Sequence, residues 1–133
     1  MTEGRLLQRA AAAAVLVALL SGCAPSGQAA ARVAADLFQA ALRGNDPNGA
    51  CQLLSEEARG NLEAASGQPC TAALANLDLP TGTGRSIEVW GDNGLVRLES
   101  GVLFLAKFRD GWKVTAAGCQ PRPDMPYDCA VEG

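Results

Sequence analysis

The chain has 133 residues, 48% hydrophobic and 19% charged, a composition that suits one small globular domain and excludes a disordered or collagenous chain and a two-domain enzyme. Eleven basic residues against fourteen acidic ones give a net charge of -3, so no positive field draws in a phosphate backbone and nucleic acid is not an expected partner. Histidine is absent from the sequence, which removes the side chain most used for proton transfer near neutral pH and the commonest metal ligand.

Residues 1–9 are short and polar, with Arg5 and Arg9, and residues 10–20 (AAAAAVLVALL) form an unbroken apolar run of eleven. Such a run rises about 16 Å as a helix, roughly half a hydrocarbon core, so it reads as the apolar region of an export signal and not as a membrane span. Leu20-Ser21-Gly22-Cys23 follows. These four positions resemble the lipobox of bacterial lipoproteins: an aliphatic residue, two small ones, then the cysteine that is lipidated. The resemblance implies a diacylglycerol thioether on Cys23, cleavage between Gly22 and Cys23, and acyl chains of the palmitate type as the anchor. Two chains hold a protein on a bilayer where one does not. The expected organisation is a signal peptide at 1–22, a lipidated Cys23 with a flexible tether through residue 28, and one domain at 29–133, held on the outer face of the cytoplasmic membrane.

Over residues 29–43, Ala34, Leu37, Phe38, Ala41 and Leu42 recur every three or four positions, while Arg32, Asp36, Gln39 and Arg43 fall opposite. This predicts an amphipathic helix. Gly44 ends it, and Asn45-Asp46-Pro47 supplies a cap and a first-turn proline for a second helix from about residue 47 to 54. Ser55 caps a third through Ala64, with Glu56 and Glu57 in its first turn, and Gly67-Gln68-Pro69 breaks the chain before a short helix over 70–77.

Residues 80–84 (PTGTG) are turn formers, after which the period changes to two. Ile87 and Val89, Val96 and Leu98, Val102 through Phe108, and Trp112, Val114 and Ala116 predict four strands. They are joined by Gly91-Asp92-Asn93-Gly94, Ser100-Gly101 and the hairpin dipeptide Asp110-Gly111. Leu103 and Leu105 make the third strand apolar on both faces, so it is expected centrally with the helices over one side. The segment 119–129 (CQPRPDMPYDC) holds three prolines and is expected as a bridged loop, with Val131 adding a final edge pairing.

With Cys23 assigned to lipid, Cys51, Cys70, Cys119 and Cys129 remain, an even number in an exported chain. Of their three pairings, Cys51 with Cys70 and Cys119 with Cys129 closes the shortest loops. Redox or metal chemistry would need a CxxC pair or histidine ligands, which the sequence lacks.

Helices followed by a curved antiparallel sheet also resemble the NTF2-like (cystatin-like) folds of many small exported lipoproteins of high-GC Gram-positive bacteria. The parts that carry the likeness are FQAALRGNDPNGACQLLSEEAR, similar to the family's helix, break and second helix, and SIEVWGDNGLVRL, similar to its first strand pair. The resemblance implies an α+β domain with N-terminal helices packed on a curved antiparallel sheet of four or more strands. Enzymes of that group use an Asp, alone or with a His, inside the cone between helix and sheet. Here Asp36 falls on the polar side of its helix. Glu88 and Glu99 are expected on the wet sheet face, Glu88 close to Trp90 and across a hairpin from Arg97. Asp124 and Asp128, with Tyr127, occupy the proline-rich segment without a calcium-loop spacing. Trp90, Trp112 and Tyr127 are interface candidates, because large aromatics bury much area at small entropic cost; Trp112 shares the phase of Val114 and suits a core plug, whereas Trp90 opposes Ile87 and Val89.

The function expected from these readings is a membrane-anchored, non-enzymatic binding or accessory module of the cell envelope, taking an envelope protein or a small apolar ligand, with no cofactor or metal. The alternatives are an NTF2-like enzyme acting on an apolar small molecule and a structural spacer in cell-wall assembly.

Overall fold

Two side-chain periodicities, one helical and one extended, divide the chain at residue 77, and the computed structural model, which describes residues 27–133, follows that division. Four helices come first: α1 (Gly27–Arg43), α2 (Pro47–Leu53), α3 (Glu56–Ser66) and α4 (Cys70–Asn76). Six strands follow: β1 (Ser86–Trp90), β2 (Asn93–Arg97), β3 (Val102–Phe108), β4 (Gly111–Arg122), β5 (Met125–Asp128) and β6 (Val131–Glu132). The export signal, the lipobox with Cys23 and tether residues 24–26 lie outside the described residues.

α1 starts earlier than its apolar spacing predicts. Gly27 and Gln28, expected in the tether, form its first turn. Gln28 Nε2 donates to the Ile87 carbonyl at 3.4 Å, and Gly27 sits against Trp112 and Val89. The buried stripe is also turned by one position: Ala31, Ala34, Ala35 and Phe38 face the sheet, Leu37 is exposed, and Gln39, expected in water, is 2% exposed. The cause is the 79–85 loop, which closes over that side of the helix. Gln39 Oε1 accepts the Gly82 N–H at 3.1 Å, so a polar side chain at a core position stitches the loop down.

The short helices are set by their ends. The Asp46 carboxylate accepts the Gly49 N–H at 3.0 Å and the Ser55 hydroxyl accepts the Ala58 N–H at 3.1 Å, satisfying first-turn donors that otherwise lack partners. Gly67, left-handed at φ 66°, ends α3. Cys51 of α2 is bonded to Cys70 at the start of α4, the pairing with the shorter loop.

The strands form one antiparallel sheet in the order β1-β2-β3-β4-β5, with β6 on β4. β3 is central, as its two apolar faces require. The first connector is shorter than expected: Trp90 pairs with Asn93 across a Gly91-Asp92 turn, so Asn93 and Gly94 belong to β2. At the β3–β4 hairpin Phe108 pairs with Gly111, so the turn is Arg109-Asp110 and not Asp110-Gly111. Glu99 lies in the β2–β3 connection, outside any strand.

β4 departs most from its alternation. Leu105 faces Val114, Phe104 faces Ala116 and Val102 faces Cys119, so twice in succession β4 carries one residue more than β3. These are two β-bulges, which bend the strand and raise its twist. Trp112 and Val114 therefore pack under the helices, Ala116 turns to the outer face, Ala117 returns to the helix side and Cys119 lies outside. The sequence grouping of Trp112, Val114 and Ala116 on one face is corrected for the last of them. Gly118 adopts φ 64° within the second bulge, where an added Cβ would come within 2.9 Å of Leu79 and 3.0 Å of Ala130.

The proline-rich tail is a hairpin and not a loop. β4 runs to Arg122 and β5 returns antiparallel, with Cys119 bonded to Cys129 across its base. Pro121 falls at the register shift between the Gln120–Asp128 and Arg122–Met125 pairs, and β5 is an edge strand, the two settings in which a sheet accepts proline. Val131 pairs with Ala117, the edge pairing expected of it.

Gly118→Ala is expected to lower the free energy of unfolding by about 1–3 kcal/mol, because it adds both steric conflict and a left-handed strain. Gly60→Ala, in α3 with nothing within 4 Å of the new methyl, is expected to raise it by about 0.5–1 kcal/mol. Urea unfolding of the two variants measures both signs.

Candidate functional site

The outer face of the sheet, away from the helices, is only partly covered. Leu95, Val102, Ala116 and Cys119 are buried there, with Phe104, Tyr127 and Cys129 packed on them. The cover is the β4–β5 hairpin. The bulges turn β4 outward, and the Cys119–Cys129 bond holds the returning strand close. Tyr127 then stands edge-on against Phe104, with ring centroids 5.1 Å apart and planes at 75°, a favourable aromatic geometry. An Arg122–Asp128 ion pair at 2.7 Å closes the outer edge of the hairpin.

Beside the hairpin the cover stops, and a groove of about 390 Å³ remains between Trp90 and Asn93 on one side and Phe104, Thr115, Pro126 and Tyr127 on the other. Its walls are mostly aromatic and apolar, with Asn93, Thr115 and Glu132 as the polar side chains among them, the mixture of apolar wall and few polar groups expected of a small-ligand site. A larger cleft of about 590 Å³ lies between the α2–α3 junction and the β3–β4 turn. Glu56, Glu57, Arg59, Asp110 and Lys113 line it, and Lys113 is held by Asp110 at 3.5 Å and by the Gln52 carbonyl at 3.0 Å. Its charges are paired with one another or solvated, so the aromatic groove is the better candidate site.

The structure brings Trp90 and Tyr127 together along this groove and separates them from Trp112. Trp112, 8% exposed, is in the core on the opposite face beside Gly27 and Gly94. Phe104 and Pro126 were not among the aromatic and apolar candidates read from the sequence; the signal for Phe104 was the two-faced apolarity of β3.

The carboxylates are dispersed. Asp36, Glu88, Glu99, Asp124 and Asp128 are all exposed. Glu88 pairs with Arg97 at 3.7 Å across the β1–β2 hairpin, the small polar patch expected there, and Asp124 takes the left-handed position of the β4–β5 turn at φ 56°. Among the described residues, no group of three or more cysteine and acidic side chains is placed to hold a metal ion. Among them too, no helix is long and apolar enough to cross a membrane.

No family model matches this chain, and no curated protein and no solved structure matches it.

Tyr127→Ala removes the edge-to-face partner of Phe104 and is expected to cost about 1–2 kcal/mol in urea unfolding, while Tyr127→Phe, which keeps the ring, stays within about 0.5 kcal/mol of the parent. Equal losses for the two variants would mean that the hydroxyl and not the ring contact holds the hairpin.

Proposed function

We propose that this chain is an extracytoplasmic lipoprotein, anchored through acylated Cys23 to the outer face of the cytoplasmic membrane, whose domain is a non-enzymatic module that binds a small apolar ligand in the outer-face groove. The observation that carries the anchoring is the division of the cysteines. Of five in the sequence, four are joined as Cys51–Cys70 and Cys119–Cys129, and the fifth is the lipobox Cys23. Disulfides persist in oxidising compartments, so the domain chemistry and the export signal agree.

Two features support the binding reading over the enzymatic one. An NTF2-like enzyme needs a carboxylate inside a closed pocket, and Asp36, Glu88 and Glu99 stand in water. The space between α1 and the sheet, where such a pocket would lie, is filled by Phe38, Val96, Leu103, Leu105 and Val114. The helices-then-sheet order and the strongly bulged β4 support placing the domain among the NTF2-like (cystatin-like) folds, with the working surface moved to the outer side of the sheet. A pure spacer would have no use for a groove walled by Trp90, Phe104 and Tyr127.

Cell fractionation of the full chain and of Cys23→Ala tests the anchor. The parent is expected in the membrane pellet and Cys23→Ala in the soluble exported fraction; retention of the variant in the pellet would overturn the anchoring. For the groove, titration with an apolar fluorescent probe is expected to show binding that Tyr127→Ala weakens by about tenfold, or 1.4 kcal/mol. Unchanged affinity in the variant would move the ligand elsewhere.

A further inference from the structure

One end of the sheet is unlike the rest of the surface. The β1–β2 and β3–β4 turns lie there side by side, joined by the Lys107 N–H donating to the Asp92 carbonyl at 2.8 Å. Of the described aromatic side chains, Trp90 at 51% and Phe108 at 45% are the most exposed, and both belong to this end. On the opposite face of the same end, α1 begins: Gly27 sits against Val89 and Trp112, and Gln28 holds the Ile87 carbonyl.

The chain itself limits where a lipid on Cys23 could sit. Cys23 precedes Gly27 by four positions in the sequence, and a fully extended chain spans at most ~3.3–3.6 Å for each. Cys23 therefore lies within about 14 Å of the Gly27 backbone whatever the path between them. That reach keeps the acyl chains at the end of the domain that carries Trp90 and Phe108.

We propose that this end, with Trp90 and Phe108 at its tip, rests on the bilayer and inserts the two rings at the level of the lipid headgroups. The proposal rests on the anchoring of Cys23 set out above. Tryptophan is suited to that depth because its body is apolar and its N–H is polar. A tether of a few residues keeps the rings at a high effective concentration against the surface, so even a weak contact is populated. Charge plays a smaller part. Lys107 and Arg109 are opposed by Asp92, Asp110 is paired with Lys113 at 3.5 Å, and Glu56, Glu57 and Arg59 line a cleft together with Phe108, so the charges at this end balance. The contact is thus expected to depend on the aromatic rings and to change little with salt. The aromatic groove, with Trp90 at its rim, then opens beside the membrane surface.

The test uses the full lipidated chain reconstituted in vesicles of phosphatidylcholine and phosphatidylglycerol, with or without bromine on the upper part of the acyl chains. The expected result is a blue-shifted Trp90 emission that brominated vesicles quench, and loss of that quenching in Trp90→Phe, which keeps only the buried Trp112. Flotation with the vesicles but no difference between plain and brominated lipid would overturn the orientation while the anchor stands. Failure to float would overturn the anchor and the orientation with it. Quenching that persists in Trp90→Phe would overturn the role of Trp90, because Trp112 would then be the side nearer the lipid.

Discussion

The double bulge of β4 is the constraint on which the rest of the domain depends. A regular strand of that length would keep Trp112, Val114, Ala116 and Gly118 on one face and pair with one neighbour on each side. With two extra residues set into it, β4 pairs with β3 along one edge, while its other edge receives Leu54, then β6, then β5 in succession. The Ser55 N–H donates to the Val114 carbonyl at 2.8 Å, so the α2–α3 junction is itself zipped to that edge. One bent strand thus ties together the helices, the C-terminus and the hairpin that forms the groove wall.

Small size explains the remaining devices. A domain of this length buries a modest share of its surface and has little stability in reserve. α2 and α4 are seven residues each, too short to persist alone. The Cys51–Cys70 bond joins them, and Ala50, Leu54, Ala73 and Leu74 complete one core with Phe38. The second bond has a different task. It lies under the outer-face hairpin, where few apolar contacts hold β5, and it keeps Tyr127 on Phe104. Each bridge limits the unfolded chain by about 3 kcal/mol on a chain-entropy estimate, and the second also shapes the surface that the ligand is proposed to meet.

Much of this order was legible in the residues. Apolar spacing at three and four, the caps Asp46 and Ser55, and Gly67 mark the helices because these are local effects. Alternation at two marks β1 to β4, and loop length points to the cystine pairs. What was not legible depends on contacts distant in sequence. Gln39 reads as a surface residue until the 79–85 loop supplies Gly82 as its partner. The phase of Ala116 is lost at the first bulge, which no single residue announces, whereas Gly118 with its positive φ marks the second. Three prolines between Cys119 and Cys129 argue against an interior strand, and the hairpin they belong to is an edge that accepts them. Trp90 and Tyr127 both read as candidate contacts, but their shared groove exists only because the hairpin folds back, which is a property of β4 and not of either residue.

The groove and the contact of the Tyr127 ring with Phe104 both follow from the hairpin lying over the outer face. Nuclear Overhauser contacts measure this most directly. With both disulfides intact, the Tyr127 ring protons are expected to contact the Phe104 ring, and the methyls of Ala116 and Ala117 are expected on opposite sides, the former toward Phe104 and the latter toward Leu103. The reverse placement, Ala116 toward Leu103 and Ala117 toward Phe104, is what unbroken alternation from Val114 would give; that result, or a Tyr127 ring with no contact to Phe104, would contradict the arrangement from which the site is built.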